Sequence, residues 1–448
     1  MLKNSIQLIE YKSKLGVNGK MKAVVYNYKI SRLAIGRIAG VFGLKHYMTK
    51  LGFLKYKDIP YPEIKTDEWL VIKTKYCGIC GSDHKQVFLD GNQDNPMTAI
   101  ISWPQVLGHE AVGFVDKVGS KTKAKVGDRV ALNPWISCVP RGIDPPCDMC
   151  LNGKNTLCKN FTKGNLSRGI HSGNSSDVTG GFAEYIPAHD SMAIPLPDHV
   201  TWDQAILSDP FSVAFHSILK VKIIPGITCA VYGCGNLGLL TIHILKKVFE
   251  DVTVVAIARF PHQAEMAKKL GADIVLASSP PHRIIEQIAD IVDCDVYYLK
   301  PKKPWLIEGV DFIFDTVASP ETLETGIRIV KARKKDPLTN QETGGSIVVT
   351  GVASPKRFEW TPWYFKDIRI IGSNAFAIED FEGYREHSYY HYYRFLSEGR
   401  VDPSAMVTHK FPLDEYKKAI VTARAQNKYK SIKVAFSYEN DMGGDVYD

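Results

Sequence analysis

At 448 residues the chain is too long for one ordinary compact core, so a division into two domains is expected. Hydrophobic content of 45% with 23% charged residues excludes a disordered chain. A net charge of +8 is a mild excess at this length; it suits a phosphate-rich cofactor without requiring nucleic acid or an anionic membrane as partner.

No run approaches the roughly 18 apolar residues needed to span a bilayer. The N-terminus, MLKNSIQLIEYKSKLG, lacks the continuous apolar stretch and small-residue cleavage site of a secretory signal. Of nine cysteines, four crowd between Cys138 and Cys158. In a chain without an export signal, that clustering favours metal ligation over a disulfide framework and points to a reducing cytoplasm.

Along the chain, residues 21–26 (MKAVVY) and 69–76 (WLVIKTKY) read as strands. Short strands punctuated by glycine and proline continue from 106 to about 200, the texture of an all-β body with many turns. From about 210 the texture changes. A buried strand (CAVYG) leads into a helix (LGLLTIHILKKVF), then a strand (VTVVAIA) and a helix (HQAEMAKKLG). Further strands follow at ADIVLA, VDFIFDT, SIVVTG and IRIIGS, and such alternation specifies a parallel sheet covered on both faces. Tyr384 to Phe395 is an aromatic, helix-like run expected in the core or an interface. The chain closes with THKFPLDEYKKAIVTARAQ and SIKVAFSY, a helix and strand returning to the first body.

Two segments interrupt this order. Residues 29–56 insert a basic, apolar stretch in which Leu33, Ile38, Val41 and Leu44 form one helical face beside Arg32, Arg37 and Lys45. Such a helix can lie on a membrane surface, but packing against the body or a partner subunit is the expectation. A stretch around 297–308 (VYYLKPKKPWLI) lengthens the second, alternating half.

Gly233-Cys234-Gly235-Asn236-Leu237-Gly238 follows a strand and opens a helix. Gly233 permits the tight turn, Gly235 lets backbone approach a pyrophosphate, and Gly238 lets helix and strand pack closely. The helix N-terminus adds unpaired N–H donors for the phosphates. At the end of the next strand an acidic residue normally binds the ribose 2′-hydroxyl; here Ala258 is followed by Arg259. A guanidinium binds a 2′-phosphate that a carboxylate would repel, so NADP(H) is expected over NAD(H).

Cys138, Cys147, Cys150 and Cys158 form a Cys-x2-Cys core with flanking cysteines on a Gly/Pro-rich loop, the arrangement that wraps four thiolates around tetrahedral zinc. A zinc-ribbon nucleic-acid module would want basic and aromatic residues around the knuckles, and this loop offers few. A second, dispersed constellation comprises Cys80 in Cys77-Gly-Ile-Cys80-Gly-Ser82-Asp83-His84, the pair His109-Glu110, and Asp209 at the junction of the two halves. Singly, these read as a buried thiol, a core histidine and a helix-capping aspartate.

Together the motifs resemble the medium-chain zinc alcohol dehydrogenase family, especially its threonine, polyol and sugar dehydrogenase branches. The resemblance runs from about Met21 to Tyr438 and rests on GIC80GSD83, GH109ExxG113, the cysteine lobe, GGFAEY at 180–185 and the Gly233 loop. It implies an α/β protein: a GroES-like β-rich catalytic domain and a Rossmann doubly wound parallel-sheet domain. The expected boundaries are an N-terminal extension at 1–20, the catalytic domain at 21–209, the cofactor domain at 210–374, and a return at 375–448.

The resemblance also implies two Zn2+ per chain, one structural and one catalytic. Cys80 and His109 would ligate the catalytic zinc, with Asp209 in the place of a further ligand and Glu110 able to ligate or exchange with water. Asp83 resembles the carboxylate that orients the ligand histidine, and Cys77 falls outside the ligand position. The implied reaction moves hydride between an alcohol, such as a polyol, sugar or amino-alcohol, and NADP(H); the alternative is an NAD-dependent threonine- or sorbitol-type dehydrogenase. A zinc-stabilised scaffold would instead have lost Cys80, His109 or the glycine loop. A homodimer or homotetramer is implied.

Two departures stand out. Ser82 matches the family's proton-passing hydroxyl, but Lys85 occupies the place of the following histidine, leaving His84 or solvent as the outer acceptor. Between its first two cysteines the family usually has two residues, and here there are eight, VPRGIDPP. These are expected to fold out as an extra loop, which makes Cys138 the ligand most open to question.

Overall fold

The computed structural model describes residues 19–28, 52–90, 95–298, 303–335, 342–351, 359 and 361–438. Most of the basic segment, 29–51, and the N-terminal extension through residue 18 lie outside the described residues, as do 299–302 of the 297–308 insertion. Among the described residues no helix is long and apolar enough to cross a membrane. The chain divides into two compact units. The first runs to Ile206 and resumes with His409–Ala425 and from Lys433 onward; the second comprises Leu207–Thr408 and Gln426–Ile432.

Short strands build the first unit. β1 (Lys20–Tyr26) lies between β2 (Leu54–Pro60) and β4 (Gln105–Val106) in a three-stranded antiparallel sheet. A second sheet is centred on β3 (Trp69–Gly78), which pairs antiparallel with β5 (Glu110–Val118), β7 (Tyr185–His189) and β20 (Lys433–Ser437). β6 (Arg129–Leu132), β8 (Ala193–Pro195) and β19 (Val407–Phe411) complete it. β3 begins WLVI, residues that fit a pleated, buried surface, and Trp69 through Ile72 are all buried. One core joins the sheets, from Met21 and Val24 to Phe182 and Phe436.

The second unit holds six parallel strands in the order β11 (Ile274–Ala277), β10 (Thr253–Ala258), β9 (Thr228–Tyr232), β12 (Phe312–Asp315), β15 (Ser346–Val349) and β16 (Arg369–Gly372). In sequence rank this is 3-2-1-4-5-6, the doubly wound order whose switch point lies between the first and fourth strands. The helix Asn236–Val248 follows β9 and buries Leu239, Leu240, Ile242, Ile244 and Leu245. Each such side chain contributes roughly 1.5–3 kcal/mol by leaving water.

Residues 375–408 belong to this second unit. The run Tyr384–Phe395, read from sequence as one helix-like stretch, is divided in the structure. β17 (Ile378–Phe381) and β18 (Tyr384–His387) form a hairpin, and the helix starts only at Ser388. The His387 imidazole accepts the Tyr389 amide at 3.2 Å and so caps the helix start. Tyr389, Tyr392, Tyr393 and Phe395 are buried, with Phe211 stacked on Tyr392 at 4.2 Å.

Candidate functional site

The ligand atoms of Cys80, His109 and Glu110 all lie within 4.8 Å of one another. Strand pairing brings them there: β3 runs out at Gly78 directly opposite Glu110, the first residue of β5. Cys80 follows β3 at the N-cap of the helix Gly81–Val87, while His109 precedes β5 after Gly108. Gly108 has φ +93, and a Cβ there would run into the Phe182 ring, so the turn that presents His109 requires glycine.

Asp83 supports the cluster from beneath. Its carboxylate accepts the Cys80 amide at 2.9 Å and lies 3.7 Å from His109 Nδ1. Burial pushes the Asp83 carboxyl up, against the opposing pull of His109 and the Cys80 amide. His171 packs on His109 with ring centroids 4.7 Å apart. Burial, reinforced by the charge of His109, holds His171 down at about 3, leaving it neutral at ordinary pH.

Glu110 has a partner that sequence reasoning missed. The Lys433 ammonium, on β20, pairs with Glu110 Oε2, and both side chains are 2% exposed. A Cβ at position 78 would collide with that carboxylate oxygen, so Gly78 leaves the room the pair occupies. The signal was a lysine inside the apolar strand SIKVAFSY, because a buried charge implies a partner.

Ser82 is exposed on the first turn of its helix, and His84 is half-buried. Burial, with the charges of Arg424 and Lys85, lowers His84 to about 4. Asp209 belongs to the second unit, buried on the first turn of the helix Ser208–Ile218. Cys77 is fully buried on β3.

The lobe is a separate cluster in which Cys138, Cys147, Cys150 and Cys158 converge, again within 4.8 Å. Cys138 and Cys158 Sγ are 3.6 Å apart, far too long for a disulfide and close to the separation of about 3.8 Å that tetrahedral Zn–S bonds impose. Backbone and side-chain donors face the sulfurs. The Cys147 amide and Asn160 Nδ2 donate to Cys138 Sγ at 3.3 and 3.2 Å, and the Asn160 amide to Cys158 Sγ at 3.3 Å. Burial raises the Cys150 and Cys158 thiols. At Cys147 the burial cost is outweighed by the Lys159 and Cys150 amides, which bring it to about 6.

The long gap after Cys138 does not simply fold out. Val139, Gly142, Asp144 and Pro145 are exposed, but Arg141 turns inward and is 0% exposed. Cys138, the ligand the gap called into question, is fully buried and converges with the other three. A cleft of about 1150 Å³ between this loop and β1–β2 is lined by Val139, Ile143, Met21 and Ile59 but by no ligand of either cluster.

In the second unit, the glycine loop joins β9 to its helix. Gly233 has φ +92, and a Cβ on Gly238 would strike the Gly233 carbonyl. Gly235, the helix N-cap, makes no side-chain cap, and the space where its Cβ would stand is open to 4 Å. Asn236 Oδ1 is buried without a hydrogen-bond partner among the described residues. An open, uncapped helix start with an orphaned acceptor fits a cofactor pyrophosphate and its neighbouring donors. The Thr316 hydroxyl donates to the Tyr232 and Gly233 carbonyls at 3.1 and 3.0 Å, fixing the loop at the switch point. Arg259 is exposed just past β10, its guanidinium 5.3 Å from the Phe260 ring centre.

Comparison with known proteins places these features in a family. Residues 66–198 match the alcohol dehydrogenase GroES-like domain, and residues 237–388 match the zinc-binding dehydrogenase domain. The chain is 31% identical to (R,R)-butanediol dehydrogenase of Saccharomyces cerevisiae over 340 residues, 72% of this chain and 81% of that one. Among solved structures, acetophenone reductase from Geotrichum candidum in complex with NAD has a TM-score of 0.68 at 19% identity, covering 95% of this chain and 99% of that one. A zinc-binding dehydrogenase from Sinorhizobium meliloti bound to NADP has a TM-score of 0.65 at 22% identity, covering 93% of this chain and 99% of that one. The chain belongs to the zinc-dependent medium-chain alcohol dehydrogenase family, an oxidoreductase with a GroES-like and a Rossmann domain.

Proposed function

We propose that the chain oxidises a secondary alcohol, of the polyol, sugar or amino-alcohol class, with NADP+ as hydride acceptor, and runs the reverse reduction with NADPH. The observation that carries this reading is the convergence of a thiol, an imidazole and a carboxylate at the β3–β5 junction. That mixed S, N and O donor set matches a catalytic zinc, whereas four thiols converging in the lobe match a structural one. Butanediol dehydrogenation by the yeast relative is in keeping with a secondary alcohol substrate.

Cys80, His109 and Glu110 would hold the catalytic zinc, and the lobe cysteines the second. A bound zinc supplies Lewis-acid polarisation of the substrate oxygen. The nicotinamide ring supplies the site that accepts or returns hydride. Asp83 keeps the His109 ring oriented, as ligand histidines require. Lys433 fixes Glu110 by one oxygen. Ser82, exposed beside Cys80, passes the alcohol proton outward to solvent. His84 is assigned no share in that relay, because a group held at about 4 is poorly matched to accept a proton near neutral pH.

The Gly233–Gly238 loop would bind the pyrophosphate through its backbone, with Asn236 and Leu237 opening the helix behind it. Arg259 would pair with the 2′-phosphate, and its stacking on Phe260 restrains the guanidinium. The test is kcat/KM for NADP+ and NAD+ across a panel of secondary alcohols. NADP+ is expected to lead, and a clear NAD+ preference would sink the assignment. Arg259→Asp should lower the efficiency with NADP+ roughly ten- to a hundredfold, the worth of a charge-assisted hydrogen-bonded pair of about 1.5–3 kcal/mol.

A further inference from the structure

The lobe contains a fully buried cation, Arg141, that makes no direct ion pair among the described residues; the Asp177 carboxylate acts on it only through space. All five N–H directions of Arg141 end on backbone carbonyls. Nε donates to Ile136 at 3.0 Å, Nη1 to Lys163 and Leu166 at 2.9 and 3.0 Å, and Nη2 to Ser167 and Gly169 at 3.1 and 2.7 Å. Ile136 precedes the first cysteine and residues 163–169 follow the last, so the guanidinium joins the two ends of the lobe. Its own backbone is tied to the site as well: the Arg141 and Ile143 amides both donate to the Cys138 carbonyl, at 3.1 and 3.0 Å.

Five carbonyl dipoles satisfy the hydrogen-bonding demand of a guanidinium but do not neutralise its charge, and with Asp177 acting only through space the buried charge remains costly. The neighbouring cysteines add to that counter-charge once they hold metal. Four thiolates around a divalent ion carry a net negative charge of two, whereas four protonated thiols carry none. We propose that Arg141 is the positioning cation of the four-cysteine site, offsetting the excess negative charge of the metal–thiolate centre while clamping both ends of its loop. The inference rests on the reading of the lobe as a zinc site. It accounts for how an eight-residue gap remains compatible with convergence of the four sulfurs. Metal binding and Arg141 burial then stabilise each other, since coupling between two sites is reciprocal.

The test compares the full-length wild type with Arg141→Lys and Arg141→Gln. Each is stripped of metal and titrated with Co2+, whose intense thiolate charge-transfer absorption reports the four-sulfur site apart from the single-thiolate cluster. Absence of that absorption in the wild type would refute the zinc-lobe reading, and this inference with it. Given the absorption, Arg141→Gln should bind at least about fivefold more weakly than wild type, the lower bound of typical site coupling, with Arg141→Lys recovering most of the loss. Equal affinity in the two variants overturns the charge role. If neither variant folds, hydrogen exchange on the wild type decides. Zinc removal should speed exchange at the Asn165 and Gly169 amides, and unchanged exchange contradicts the coupling.

Discussion

The two ligand-rich clusters of the first unit reach similar compactness by opposite routes. The Cys138–Cys158 lobe takes every sulfur from one loop and surrounds them with local donors, the Cys147 amide and both nitrogens of Asn160. The Cys80–His109–Glu110 cluster exists only because β3 and β5 pair antiparallel with Gly78 opposite Glu110, and because β20 brings in Lys433, 323 residues from its partner. A local site can form with its loop. A dispersed site must wait for the sheet, and its chemistry inherits the rigidity of that sheet. Removing a ligand from the lobe should therefore damage stability more than chemistry, and the reverse should hold at the β3–β5 junction.

The largest effect is expected at the lobe. Cys150→Ser should release one zinc per chain and destabilise the first unit by about 4 kcal/mol or more, the range reached when a structural metal is lost. Metal analysis and thermal unfolding check this; unchanged zinc content and melting temperature would break the distinction between the clusters. Next comes Lys433→Met, which strands the Glu110 carboxylate in the core at a cost of about 3–5 kcal/mol. Glu110→Gln in the same background should recover part of that loss, and absence of any recovery would show that the pair is not coupled.

A smaller change is expected from Ser82→Ala, roughly a hundredfold in kcat, with KM and melting temperature close to wild type. Wild-type turnover in that variant would remove Ser82 from the proton path. Smallest is a pH effect in the second unit, at a residue that belongs to neither cluster. His243 is buried, its Nδ1 3.3 Å from the Leu270 carbonyl and its Nε2 accepting the Asp402 amide at 3.0 Å, so only a neutral ring satisfies both. Burial lowers its pKa from 6.5. In the unfolded chain the ring gains a proton as pH falls through 6.5, while the folded ring resists; this contribution to stability is full above 6.5 and lost below it. The melting temperature of the unit should decline as pH drops from 7 to about 5, and His243→Gln should flatten the decline. A slope that the variant leaves unchanged assigns the effect elsewhere.

Legibility in the sequence follows the same contrast. The four cysteines and the glycine loop were readable because their parts are close in sequence and their turns need particular residues. The parallel sheet was readable from alternating apolar strands and amphipathic helices. Cys80 and His109 emerged only through family resemblance, since no spacing rule connects residues joined by strand pairing. Lys433 and Arg141 were passed over for a related reason: their partners lie at 110 and at 136 and 163–169, and a lone basic residue carries no mark of what it will meet. The break in the aromatic run at His387 was hidden because tyrosine is at home in both strand and helix, and a capping histidine decides between them.

The most direct test of the catalytic metal site measures zinc content and hydride transfer together in Cys80→Ser. The variant is expected to be a folded protein with wild-type melting behaviour, one zinc per chain in place of two, and no detectable transfer to NADP+. Retention of both zinc ions, or of wild-type hydride transfer, would contradict the assignment of the β3–β5 junction as the catalytic metal site.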